Sequence, residues 1–240
     1  MKRHQSVMKP DIKRWLASIA LYIASIFVML IMYGSPSQQA LSPESFMKLY
    51  GTYSHELLNA LFYTPACIVL LVPSLTGITS SMLIMRCNGF ADALRRTLQD
   101  CLLLALAAGF TVSVGLALDA TLLGCIGAAY GLFWLLWILA VCSYFVSCAL
   151  LLVTVCIAAG ERAAVLAVLG YGFFGYFLGA SPLRSIDMLH FGWMIVQDMQ
   201  NGIGDALAVL LRQMFICIAI FASIRLMAGL CDVPSGGGYR

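Results

Sequence analysis

Charge is what this sequence has least of. Only 10% of its 240 residues are Asp, Glu, Lys or Arg, against roughly 25% in an ordinary soluble domain. With 62% of the chain apolar and a mean hydropathy of +0.93, a soluble fold has no interior large enough to hide that surface. Lysine is scarcer still. None of Lys2, Lys9, Lys13 and Lys48 follows a glycine, so the chain lacks the Gly-Lys pair of a P-loop, whose lysine reaches the β- and γ-phosphates. The apolar runs contain no acid pair, no histidine at mid-run and no HExxH or GxSxG pattern, which argues against catalysis within them. The nine cysteines form no CxxC pair and no Cys/His cluster, so neither a disulfide framework nor a zinc site is expected. A net charge of +3, with its basic residues scattered over loops, gives no footprint for nucleic acid.

What is present is length in apolar runs. A bilayer core of ~30 Å takes about 20 helical residues per crossing, and the runs predict an all-α integral membrane protein of about six spans in one transmembrane domain, 1–240. The spans are expected at about 15–33, 57–85, 101–118, 122–159, 163–180 and 206–230. The first follows a basic N-terminal stretch and is read as a retained span, because no small-x-small cleavage site follows it. Pro65 and Pro73 should bend the second. Between 101 and 159 the one charged residue is Asp119, and the third and fourth spans are divided there. The segment 181–205 mixes Arg184, Asp187, His190 and Asp198 with the apolar Phe191, Trp193, Met194, Ile195 and Val196, a pattern that predicts a re-entrant or interfacial element.

Orientation follows from the lysines and arginines. With the N-terminus inside, Lys2, Arg3, Lys9, Lys13, Arg14, Arg86, Arg95, Arg96, Arg162, Arg225 and Arg240 lie inside, leaving Lys48, Arg184 and Arg212 outside. This positive-inside bias predicts a multi-pass protein of the cell inner (cytoplasmic) membrane with both termini cytoplasmic.

The inner loop 86–100 is the most informative element. Asn88 is placed to cap a helix, Phe90, Leu94 and Leu98 recur every four residues, and Asp92 precedes Arg95 and Arg96 by three and four. A short amphipathic helix results, with an apolar knob and a basic edge. Two readings fit it equally: a helix lying on lipid headgroups, or one docking in a groove of a cytoplasmic partner.

A basic N-terminus leading into span one, an Arg-x-x-Gly pattern (Arg86, Cys87, Asn88, Gly89) opening the loop helix, and a semi-hydrophobic outer segment before the last span together resemble the type-2 ABC transporter permeases. These include the small membrane subunits of exporters of antibiotics and antimicrobial peptides. The resemblance implies a permease subunit that forms the translocation pathway for a hydrophobic, peptide or drug-like cargo. It would pair with a second permease chain, identical or similar, and be driven by a separate ATPase subunit carrying the ATP and Mg. The coupling helix would then use Arg86, Gly89, Phe90, Asp92, Leu94, Arg95 and Arg96. This sequence departs from the family in its short N-terminal stretch.

Further candidates lie along the spans. Trp134 and Trp137 share a helix face, Trp193 sits in the outer segment, and Arg212 follows Asp205 by seven residues; these five are candidates for a pathway or gate. Gly127 with Gly131 and Gly175 with Gly179 give small-xxx-small faces for helix packing. The rival from another class is a secondary carrier, or substrate-binding membrane subunit, working without an ATPase. A proton-coupled carrier ordinarily holds an acid or histidine near the midplane, and the spans offer none. An immunity or sensor protein that transports nothing has the same signature.

Overall fold

A computed structural model describes residues 20, 23, 59–79, 90–122, 131–179 and 203–231 of the chain. The described residues are all helical apart from Gly160, and no strand occurs among them. A π-helical turn, Asn59–Tyr63, leads into α1, Thr64–Thr79; then follow α2, Phe90–Leu122, α3, Gly131–Ala159, α4, Glu161–Gly179, and α5, Ile203–Cys231. Three of these contain stretches long and apolar enough to cross a membrane: Phe90–Val114, Leu135–Ala159 and Leu210–Met227. Ala60–Leu75 is a shorter apolar helix.

Local chemistry accounts for the helix boundaries. The widened turn lies directly before Pro65, whose ring nitrogen has no proton to close the ordinary bond to the carbonyl four residues back. Pro73 sits inside α1 and deletes a second such bond. Serine and threonine hydroxyls return to the backbone of their own helices: Thr111 donates to the Ala107 carbonyl at 2.8 Å, Ser113 to Gly109 at 2.8 Å and Thr154 to Leu150 at 2.7 Å. An apolar helix can therefore carry them without presenting an unsatisfied polar group to hydrocarbon.

The structure corrects two expected boundaries. α2 does not stop at residue 118 but runs on through Asp119 to Leu122; α3 is described from Gly131, and the expected start at 122 adjoins residues 123–130, which lie outside the described set. One acid near a helix end costs too little propensity to break 33 residues of otherwise good helix formers. The loop helix is not separate from the third span either. Phe90 opens α2, and nothing between Leu98 and Cys101 stops the helix. The expected first span, 15–33, lies outside the described residues except for the helical Ala20 and Ile23. The expected outer segment is likewise outside them up to residue 202, including Trp193, as are Arg86, Gly89 and both termini.

α3 is the centre of the bundle, packing against α1, α2, α4 and α5. Of its Leu135–Ala159 stretch 56% is buried, against 17% for Leu210–Met227 of α5. Trp137, Tyr144, Phe145 and Leu152 of α3 are almost wholly enclosed, together with Tyr63, Leu71 and Leu75. Apolar side chains also cover the outside: Leu103, Leu106 and Phe110 along α2, Leu166, Phe174 and Phe177 along α4, and Leu211, Phe215 and Ile218 along α5. For helices in lipid the apolar term nearly cancels, and association rests on close packing and interhelical hydrogen bonds.

Two glycines supply the close packing, and neither belongs to the small-residue pairs picked out from the sequence. A Cβ at Gly109 would meet the Cys142 Cα at 2.9 Å, and one at Gly172 would meet Thr64 Oγ1 at 2.8 Å. Gly160 supplies the turn between α3 and α4. At φ +88° it takes the left-handed conformation that glycine adopts at little cost. Its N–H bonds to the Cys156 carbonyl at 3.0 Å, closing α3, and its carbonyl accepts from Ala164 N at 3.1 Å, opening α4.

Candidate functional site

Two polar features stand out in a bundle otherwise built from apolar contacts. The first is a set of hydroxyls at its centre. Thr64 Oγ1 of α1 and the Tyr144 hydroxyl of α3 are 2.8 Å apart and buried. Ser147 donates to the Tyr144 carbonyl at 2.7 Å. Because a serine hydroxyl has one proton, the 3.1 Å contact between Ser147 Oγ and the Tyr171 hydroxyl must use Tyr171 as donor. The Tyr144 and Tyr171 rings stack with centroids 5.7 Å apart, so α1, α3 and α4 are tied at one level. One helix turn away, Ser143 donates to Oε1 of the buried Gln213 at 2.5 Å, which ties α5 to α3. The set is uncharged and closely packed, suited to fixing helix positions.

The second feature is a charged end. α2 begins where α3 finishes: Gly109 faces Cys142 and, nearer the start of α2, Cys101 lies by Cys156, so the two helices run antiparallel. The first turns of α2, the α3–α4 link and the last turns of α5 therefore share one end of the bundle. Among the described side chains every charged residue but Arg212 lies there: Asp92, Arg95, Arg96, Asp100, Glu161, Arg162 and Arg225. A groove of about 610 Å³ opens at this end between α2 and α5, lined by Asp92, Leu94, Arg95, Leu98 and Leu102 on one side and Phe221, Ile224 and Arg225 on the other.

The residues proposed from sequence for coupling divide here into inward and outward sets. Leu94 is 3% exposed and lies in the apolar core, with Phe90 and Leu98 half-buried against it. The stripe read as a knob for a partner thus packs first on the chain itself. Periodicity reveals such a stripe and does not reveal what covers it. Arg95 and Arg96 are exposed, and Arg96 Nη2 pairs with Asp92 Oδ2 at 3.5 Å, four residues back on the same helix. Such an exposed pair contributes only about 0.2–0.5 kcal/mol, so it orders the edge more than it stabilises the fold.

Of the pathway candidates, Trp137 is 1% exposed and belongs to the core. Arg212 lies half-buried on α5, next to the buried Gln213. Asp205 falls in the first turn of α5 and Trp134 in that of α3, their side chains being outside the described set, as is Trp193 altogether. Of these five, the described side chains are Trp137 and Arg212 alone. Sequence reasoning missed Thr64, Tyr144, Ser147, Tyr171 and Gln213, whose only signal was the placing of hydroxyls and an amide inside apolar runs. It also missed the neighbourhood of Arg95 and Arg225, which lie 130 positions apart. Comparison with protein-family models, with curated proteins and with solved structures gave no match to this chain.

Proposed function

We propose that this chain is the membrane-spanning permease subunit of an ATP-driven exporter, of the type-2 ABC transporter class that its sequence resembles. In this reading it crosses the cytoplasmic membrane six times with both termini inside and pairs with a second permease chain, identical or similar. A separate ATPase subunit supplies the ATP and Mg, and the cargo is hydrophobic, peptide or drug-like. The observation that carries the reading is the charged end of the bundle. Positive-inside bias assigns Arg95, Arg96, Arg162 and Arg225 to the cytoplasm, and their clustering at one end agrees with that assignment.

The first turns of α2 there join an exposed basic edge to a continuous 33-residue helix whose remainder packs on α3. A force on that edge is passed along the helix without a flexible joint. The partner-facing surface is accordingly the polar edge of Asp92, Arg95 and Arg96, while Leu94 anchors the edge to the bundle.

The test is co-purification with the ATPase subunit whose reading frame, bearing GxxxxGK[ST], neighbours this one. Arg96→Glu should lower complex yield and substrate-stimulated hydrolysis in reconstituted membranes while the chain still inserts. Cargo movement in vesicles holding this chain alone would instead establish the secondary carrier.

A further inference from the structure

The groove at the charged end has two unlike walls. Arg95 and Arg225 both line it, and among the described residues neither makes an ion pair. Asp92, the one acid on the lining, is engaged with Arg96 at 3.5 Å. The groove thus presents uncompensated positive charge at its rim. Arg225 is held over the Phe221 ring, 5.7 Å from its centroid, an arrangement that steadies a guanidinium without neutralising it. Away from the rim the lining becomes Leu98, Leu102, Phe221 and Ile224. Among the described residues α2 and α5 each pack on α3 and touch one another little, and none of them closes the crevice from the side, between two helices whose outer faces are apolar.

We infer that this groove binds the headgroup of an anionic phospholipid, its phosphate between Arg95 and Arg225 and one acyl chain along Leu102 and Phe221. Charge complementarity selects the headgroup: basic pockets between membrane helices attract anionic lipid, and guanidinium forks match phosphate oxygens. The sideways opening selects a lipid over a soluble anion, because the apolar wall gives an inorganic ion nothing to contact. A volume of about 610 Å³ lies within the ordinary range of small-molecule sites, about 300–1,000 Å³. The bound lipid bridges α2 and α5 where the protein itself supplies few contacts.

The test needs no ATPase and is independent of the permease reading. The full chain, reconstituted in mixed phosphatidylcholine and phosphatidylglycerol nanodiscs and released into native mass spectrometry, should retain phosphatidylglycerol in preference to phosphatidylcholine. Arg95→Gln and Arg225→Gln should each weaken that retention about fivefold. Arg96→Gln, which removes the same charge from a side chain outside the groove, should leave it unchanged. The double variant Arg95→Lys with Arg225→Lys should retain most of it. Leu102→Trp, which fills the apolar part and leaves both arginines, should weaken retention as well. An equal loss in Arg96→Gln would reduce the effect to diffuse surface charge and overturn the site. Displacement of the lipid by inorganic phosphate, or equal retention of phosphatidylcholine, would overturn the lipid assignment.

Discussion

Thr64 and Tyr144 lie 80 positions apart in the chain and 2.8 Å apart in the fold, hydroxyl to hydroxyl, with no access to solvent. The bond fixes α1 against α3 at the level where Gly172 lets α4 approach. Thr64→Val and Tyr144→Phe should each destabilise the protein by about 0.5–2 kcal/mol, and the double variant by less than their sum. Interhelical bonds in membranes couple by about 0.6 kcal/mol on average, so a double-mutant cycle of unfolding in mixed micelles should give a coupling near that value. Strict additivity would mean that the two hydroxyls do not depend on each other.

Gly172→Ala should act on the same contact from the opposite side. Its new methyl would meet Thr64 Oγ1 at 2.8 Å, so Thr64 has to turn away from Tyr144. The cost should fall in a Thr64→Ala background, which removes the crowded hydroxyl oxygen and the methyl beside it. Gly109→Ala has no such escape, because its clash at 2.9 Å is with the Cys142 backbone. It should destabilise more than Gly172→Ala, by the about 1–3 kcal/mol typical of overpacking, in thermal denaturation monitored by fluorescence.

Leu94→Ala and Arg96→Ala should separate fold from surface. Leu94, 3% exposed, should cost about 2–5 kcal/mol as a core truncation and lower the thermal midpoint of the isolated chain. Arg96, with 59% of its side chain exposed, should leave that midpoint within the scatter of surface changes, about 0.5 kcal/mol. Equal midpoints for the two variants would place Leu94 outside the core.

Gly160→Ala should destabilise by about 1–2 kcal/mol, the cost of holding a Cβ in the left-handed region, although no atom lies near the added methyl. Gly160→Asn should cost less, since asparagine visits that region more readily. Unfolding midpoints ranking Gly, Asn, Ala would identify backbone conformation, and not crowding, as the cause.

Much of the helical layout is legible in the sequence because the physics that sets it is one-dimensional. The apolar runs at 163–180 and 206–230 coincide with helices, α4 at Glu161–Gly179 and α5 at Ile203–Cys231, and α5 contains the membrane-length stretch Leu210–Met227. The helix itself does not stop at Asp119, because a charge interrupts hydropathy without interrupting a helix. The candidate site was less legible. Phe90, Leu94 and Leu98 announce a face, but only the packing of α2 decides that Leu94 is covered by this chain. Trp137 looks like a lining residue in one dimension and is a core residue in three. Arg225 gains its meaning from Arg95 across the groove, a relation between distant positions that no local pattern carries.

The joint at Gly160 limits how the bundle can deform. One residue links α3 to α4, and neighbouring Cα atoms are about 3.8 Å apart, so the joined ends have almost no slack. Helices fastened in this way can tilt about their common corner but cannot slide past each other by a full turn of about 5.4 Å. α3 and α4, held also by the stacked Tyr144 and Tyr171, are thus tied both at their corner and along their length. α5 is the least enclosed of the three long apolar helices and reaches α3 through Ser143, Gln213 and Cys217; no such short joint limits its travel along α3 among the described residues.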